Sequence, residues 1–441
     1  MRAVLLVIAA VVLFKIFYIF HCVAYLSSVQ NDMASYWHGA FDRAWGNKFS
    51  FTQYGVCPPF FIYLCAYLLH LMNSFSLLSC SIPVVVVLNV LLHGLSSYFV
   101  YVIVHRMTER KILAWGALLF YCFSYTQLYL NALVLPDNLA TPLLVIVVWF
   151  IAFGELKLWA VLGAGLLLGI AIASKPIFVI LSPVFVVYLF LRSTKKDSLL
   201  LACVLSIGLI LIPLVTVIEN YHISSGRVLS LGPSGGANFY QGWGQVGKVT
   251  TYGQFGTWWL YSPGALDETN WKPVDTSDPW FHQGYYYQRG MQAIIKDPSV
   301  LFKKIIWFKK LFWGILAPSL SKQPPNFYRI MPIVQWGLYI MFLCPWVLCF
   351  SALRKCCDRT IFFFFTVLSV FFLSIYLYGM PERRYLSYIE FLIIILFFIA
   401  IDKVISLYKA YKSEVLIYII CVFSFFICVP LTWEHLTRLL N

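Results

Sequence analysis

Three short polar stretches lie beside apolar runs of the chain, and each brings together side chains able to do chemistry. The first reads Gln30-Asn31-Asp32-Met33-Ala34-Ser35-Tyr36-Trp37. A carboxylate such as Asp32 can take the proton of a hydroxyl held within hydrogen-bond reach, or it can cap a helix. The second is Leu135-Pro136-Asp137-Asn138-Leu139, where Asp137 is open to the same two readings. The third is Tyr378-Gly379-Met380-Pro381-Glu382-Arg383-Arg384-Tyr385. Paired guanidinium groups grip phosphate through two parallel hydrogen bonds, which makes Arg383 and Arg384 candidate anion ligands. Lys175, in Ala173-Ser174-Lys175-Pro176, is a further candidate, with a lysine snorkelling to the interface as the alternative.

A longer polar region carries Leu231-Gly232-Pro233-Ser234-Gly235-Gly236-Ala237-Asn238-Phe239-Tyr240 and, later, Tyr285-Tyr286-Tyr287 and Lys296-Asp297-Pro298. The glycines predict a turn that lets backbone approach a ligand closely. They form no Walker loop, because no Gly-Lys-Ser/Thr follows. Asn238, Tyr240 and Tyr286 are candidate substrate contacts, since aromatic faces stack on sugars; interfacial aromatics have the same composition. No Asp-x-Asp occurs, and Asp275 and Asp278 have the wrong spacing for it. A metal-held nucleotide donor is therefore disfavoured and a lipid-linked donor favoured. The twelve cysteines show no zinc spacing, so no metal ligand is assigned. No cofactor is implied, and a divalent metal requirement stays open. Cys57 and Cys80 both fall in the first polar loop, where they could pair.

Apolar elements must position these groups. The chain of 441 residues is 61% hydrophobic and 11% charged, against roughly 25% charged in soluble domains. Several runs reach the ~18–20 residues that cross a bilayer. The net charge of +14 would suggest nucleic acid in a soluble protein. Here it follows from basic clusters at 105–111, 192–196, 354–359 and 403–412. Placing all four in the cytoplasm satisfies the positive-inside rule. The expectation is an all-α polytopic membrane protein of about eleven spans, at 3–26, 82–104, 112–130, 138–153, 157–173, 176–192, 198–217, 330–353, 360–378, 385–401 and 414–430. The N-terminal run reads as a retained span, and Lys15 within it has no evident place. Pro58–Met72 and the Lys- and Trp-rich Leu301–Leu316 read as interfacial helices. Three units result. Residues 1–217 form an N-terminal membrane module with an outer loop at 27–81, residues 218–329 a second outer loop, and residues 330–441 a C-terminal membrane module.

Taken in order, Asp32 with Tyr36, the Pro58-Pro59 helix, Asp137, the 235–240 stretch with Tyr286 to Pro298 and the Lys303–Lys310 helix, and Arg384-Tyr385 make the chain resemble the GT-C glycosyltransferases. The similarity is to the branch holding protein O-mannosyltransferases, the aminoarabinose transferase of lipid A and bacterial O-antigen-modifying glucosyltransferases. That resemblance implies a GT-C fold and inverting transfer of a hexose from a polyprenyl-phosphate carrier to a glycan or lipid-linked glycan, with O-antigen the expected acceptor. It implies an active site on the periplasmic face of a bacterial inner membrane and an undecaprenyl-phosphate sugar donor. Asp32 would be the base and Asp137 its catalytic support. Arg383, Arg384, Tyr385, Lys175 and Lys303 would hold the donor phosphate, and Tyr36, Asn238, Tyr240 and Tyr286 the substrate. The partners implied are membrane lipid and the two glycan substrates, with no nucleic acid. The chain departs from the pattern in having Asn31 before Asp32 instead of an acidic pair. The alternatives are a lipid-linked glycan flippase and an O-antigen ligase or polymerase.

Overall fold

The computed structural model describes residues 2–22, 31–46, 58–193, 195–232, 235–244, 283–308, 359–378 and 383–410. Helix α1 (Arg2–Cys22) is followed by α2 (Asn31–Ala44), α3 (Pro59–Ser74), α4 (Ser81–Thr108), α5 (Lys111–Cys122), α6 (Tyr125–Asn131), α7 (Asp137–Phe153) and α8 (Leu158–Ser174). A 3₁₀ segment, Pro176–Leu181, leads into α9 (Ser182–Arg192), then α10 (Lys195–Ile223), α11 (Gly235–Gly244), α12 (Gln283–Lys296) and α13 (Val300–Phe308). The chain then gives α14 (Arg359–Tyr378), the single turn α15 (Arg383–Leu386) and α16 (Glu390–Ala410). The described residues contain no strand.

The protein is an all-α polytopic membrane protein. Among the described residues, four helices are long and apolar enough to cross a bilayer by themselves: Arg2–His21, Leu78–Thr108, Asp197–Ile223 and Arg359–Tyr378. Shorter apolar helices, among them α7 and α8, fill the bundle between them. The expected spans at 330–353 and 414–430 lie outside the described residues, as does Cys57; Cys80 is exposed.

Bilayer supplies no hydrophobic force between helices, so close packing must hold them together. At the crossing of α8 and α10, Gly165 faces Gly208. A methyl group at Gly165 would lie 2.5 Å from the Leu205 carbonyl oxygen, and one at Gly208 would lie 2.7 Å from that of Leu162. Only glycine lets these backbones touch.

Arg110, Arg192 and Arg359, one from each of three basic clusters, lie at one end of the bundle. Arg192 donates to the carbonyls of Ile151 at 2.7 Å and Gly154 at 2.6 Å, and Arg359 to Leu191 at 2.9 Å. Arg110 pairs with Asp402 at 2.5 Å. The two polar loops meet at the opposite end. Arg43 of α2 pairs with Glu219 of α10 at 2.6 Å. Tyr63 of α3 donates to Asn220 at 3.3 Å, and Asn220 donates to the Ser230 carbonyl at 2.7 Å. A Cβ on Gly232 would touch both Pro58 and Pro176 at 3.9 Å. The start of α3 and the Lys175 turn therefore share one small neighbourhood.

One expected span is not continuous. The run 112–130 breaks at Phe123-Ser124 and re-forms as the seven-residue α6. Irregular backbone survives at membrane depth only where protein satisfies its polar groups, and side chains do so here. Asn138 donates to the Leu130 and Leu133 carbonyls at 2.7 and 2.8 Å, and Asn89 to Leu133 at 3.0 Å. Ser124 donates to Glu390 at 2.6 Å, and Gln127 to the Ser387 carbonyl at 3.0 Å. Lys15 also finds its place. It is buried and donates to His93 Nδ1 at 3.1 Å, and the His93 ring stacks on Tyr121 at 4.7 Å. The expected turn at 235–244 is likewise a helix, α11. Its Phe239, Tyr240 and Trp243 anchor one side against α12, α13 and α14.

Candidate active site at the loop-bearing end

Pro136 is the N-cap residue of α7, and Asp137 opens the helix in its first turn, where the helix dipole favours a carboxylate. The residue is 1% exposed. The Tyr388 hydroxyl donates to Asp137 Oδ1. Lys175 Nζ lies 3.1 Å from Asp137 Oδ2. Lys175 reaches it from the extended residue between α8 and the 3₁₀ segment, and its ammonium sits 5.9 Å from the centre of the Tyr388 ring. Phe178 and Phe371 wall the Tyr388 ring at 5.2 and 5.8 Å. The Lys175 side chain is 13% exposed, so it forms the rim of the group and Asp137 its floor. Tyr385 joins through its ring, 5.9 Å from that of Tyr388.

Asp32 is the second residue of α2, close to a helix N-terminus; its side chain lies outside the described residues. Tyr36, one turn on, is buried edge-on against Phe61 of α3 at 5.5 Å. Arg383 and Arg384 open the single turn α15, just before Tyr385; their side chains also lie outside the described residues.

The remaining candidates form a second group. The Gly236 amide donates to the Gln283 side chain, locking α11 to α12. Tyr240 and Tyr286 are both buried with rings 6.2 Å apart, and Asn238 lies part-exposed on the same α11. Lys303 points outward and pairs with Asp297 at 2.9 Å. Ser299 and Lys303 hold the Asp297 carboxyl below its ordinary range. Trp243 donates its indole N–H to the Leu377 carbonyl at 2.8 Å, which fixes α11 on the end of α14.

Sequence reasoning missed Tyr388, Glu390 and Lys304. Lys304 had a readable signal. Adjacent lysines on a helix project about 100° apart, so the pair in Val300–Phe308 spans a wide arc in which one of the two can meet the protein. Tyr388 and Glu390 gave none beyond a polar patch at the head of an apolar run. Groups of three or more His, Cys, Asp or Glu able to hold a metal do not occur among the described residues.

No curated protein matches the chain. Residues 56–218 match the family described as dolichyl-phosphate-mannose-protein mannosyltransferase. That stretch runs from just before α3 into α10. It contains Asp137 and Lys175, and over this length the chain is similar to glycosyltransferases of the membrane-bound GT-C type.

Proposed function

We propose that the protein is an inverting glycosyltransferase that moves a hexose from a polyprenyl-phosphate carrier to a cell-surface glycan. O-antigen would be the acceptor, undecaprenyl phosphate the carrier, and the periplasmic face of a bacterial inner membrane the site of transfer. One observation carries this reading: Asp137 and Lys175, which pair with each other and take Tyr388 as a third member, lie within the stretch similar to mannosyltransferases, at the end of the bundle where both polar loops meet.

Asp32 takes the proton of the acceptor hydroxyl. The hydroxyl oxygen bonds to the anomeric carbon, the bond from that carbon to the phosphate oxygen breaks, and the lipid phosphate departs with the electron pair. Charge grows on the leaving phosphate, so preset cations lower the barrier. Arg383 and Arg384 meet it, with Tyr385 beside them. Asp137 serves by position: both its oxygens are engaged and it is sealed from water, so it aims Lys175 and Tyr388 instead of taking a proton. Tyr36, Asn238, Tyr240 and Tyr286 shape the sugar and acceptor sites.

The test is transfer of radiolabelled sugar in proteoliposomes across a panel of polyprenyl-phosphate sugars. Wild type should use at least one donor. Asp32→Asn should bind that donor yet lose turnover by about 10²-fold or more. A wild type that turns over none of them refutes the reading. Transport of a lipid-linked glycan is the second reading, favoured by the buried Lys15–His93 contact and by Glu390 inside the bundle. Ionisable groups at that depth commonly mark translocation paths, and movement of carrier across the bilayer without hydrolysis or transfer would support it.

A further inference from the structure

Lys304 is 0% exposed. Its Nζ lies 3.7 Å from the centre of the Trp243 ring and 5.6 Å from that of Tyr376. It has no hydrogen-bond partner among the described residues. The cage around it is rigid because its polar handles are already committed. The Trp243 N–H goes to the Leu377 carbonyl, and the Tyr376 O–H goes to the Leu301 carbonyl at 2.8 Å. Aromatic faces attract an ammonium, but they accept none of its three N–H donors. The three helices that build the cage, α11, α13 and α14, carry no Asp or Glu in their sequences. A buried ammonium without an anion is costly, and burial alone pulls Lys304 down to about 7. Nothing in these elements balances the charge.

We propose that Lys304 is an anion-binding residue and that its anion is the phosphate of the polyprenyl carrier. The choice of a lipid source follows from the helix itself. In α13, Phe302 is strongly exposed beside the inward Lys304, so the segment presents apolar surface to the bilayer and a cation to the protein interior. Its neighbour Lys303 is spoken for by Asp297 on the outer side. The assignment rests on the glycosyltransferase reading for the carrier's identity. The cation, the aromatic cage and the lack of a carboxylate in the three cage helices stand without it.

Binding of undecaprenyl phosphate to the purified full chain in nanodiscs tests this, with undecaprenol, phosphatidylglycerol and inorganic phosphate as comparison probes. Lys304→Met should weaken undecaprenyl phosphate by about tenfold or more, as loss of a charge-assisted contact does. Undecaprenol binding should not change. Lys304→Arg should keep most of the affinity, and Lys157→Met, at the opposite end of the bundle, should keep all of it. Both Lys304 variants must melt no lower than wild type. Equal binding by wild type and Lys304→Met overturns the proposal, and so does a wild type that fails to distinguish undecaprenyl phosphate from undecaprenol. Equal competition by phosphatidylglycerol or inorganic phosphate overturns the assignment to the carrier. Sugar transfer is scored separately. If wild type transfers nothing yet Lys304→Met still loses the phosphate, the anion site stands and the transferase reading falls.

Discussion

The Asp137–Lys175 pair is where charge and burial oppose each other most directly. A buried ion pair adds little net stability, but removing one partner strands the other, at about 3–5 kcal/mol. Lys175→Met should therefore lower the melting temperature sharply, because the Asp137 carboxyl group stays buried after losing its ammonium partner. Adding Asp137→Asn to that variant should recover most of the loss, since an amide can still accept from Tyr388. If the pair also positions Lys175 for the reaction, the double variant should fold yet transfer no sugar. Melting and transfer measured on the same preparations separate the two roles. Lys304 gives a second expectation of opposite sense. Its proton is held less tightly in the folded chain, at about 7, than at its ordinary 10.5. Between those values the unfolded chain carries the extra proton, so stability should rise with pH. A melting series from about pH 6 to about pH 9 should show this rise in the empty protein. Lys304→Met should flatten that part of the rise and melt higher at neutral pH, because an apolar side chain suits an apolar cage.

At the scale of elements, the packing of α8 on α10 makes a clean contrast between glycines. Gly208→Leu must push the backbones apart, since even a methyl group would sit 2.7 Å from a carbonyl; extraction in detergent should yield aggregate. Gly163→Ala lies on α8, the helix that Gly208 packs against, with nothing within 4 Å. It should be neutral or stabilise by up to about 1 kcal/mol through helix propensity. Much of the element plan could be read from the sequence, because hydrophobic runs and basic punctuation are direct consequences of the bilayer. The bounds of α7, α8 and α14 fall within a residue or two of the apolar runs at 138–153, 157–173 and 360–378. The break after Cys122 could not be read, because the carbonyls at the end of α6 are capped by Asn89 and Asn138, and Gln127 of α6 is anchored on Ser387, all through contacts distant in sequence or set by the fold. The helix at Gly235–Gly244 was hidden for a similar reason. Two leading glycines argue for a turn, and only aromatic anchoring against α12, α13 and α14 overrides them. For the site, the sequence supplied Asp137 and Lys175 as separate candidates. Their pairing depends on how the chain folds between them, and Tyr388 as the third member on a contact between residues 251 positions apart.

The whole molecule has two chemically different ends. Arg110, Arg192 and Arg359 close one end by donating to carbonyls and to Asp402. At the other, α2 and α3 fold back onto the end of α10 through Arg43–Glu219 and Tyr63–Asn220. This division explains why the apolar helix α3 need not be a span. It packs Ile62, Cys65 and Leu69 against the inner face of α2 and is tied to polar groups at the loop-bearing end. Were α3 a span, the Arg110 and Arg192 ends would face outward, against the positive-inside rule. Cysteine labelling decides the matter. In a cysteine-free background, restored Cys80, exposed just after α3, should react with a membrane-impermeant maleimide in intact cells. Glu155→Cys, in the exposed turn beside the Arg192 carbonyl contacts, should react only after permeabilisation. The reverse pattern would place the Asp137–Lys175 group on the cytoplasmic side. A periplasmic glycan could not then reach it, and the acceptor would have to be sought among cytoplasmic molecules.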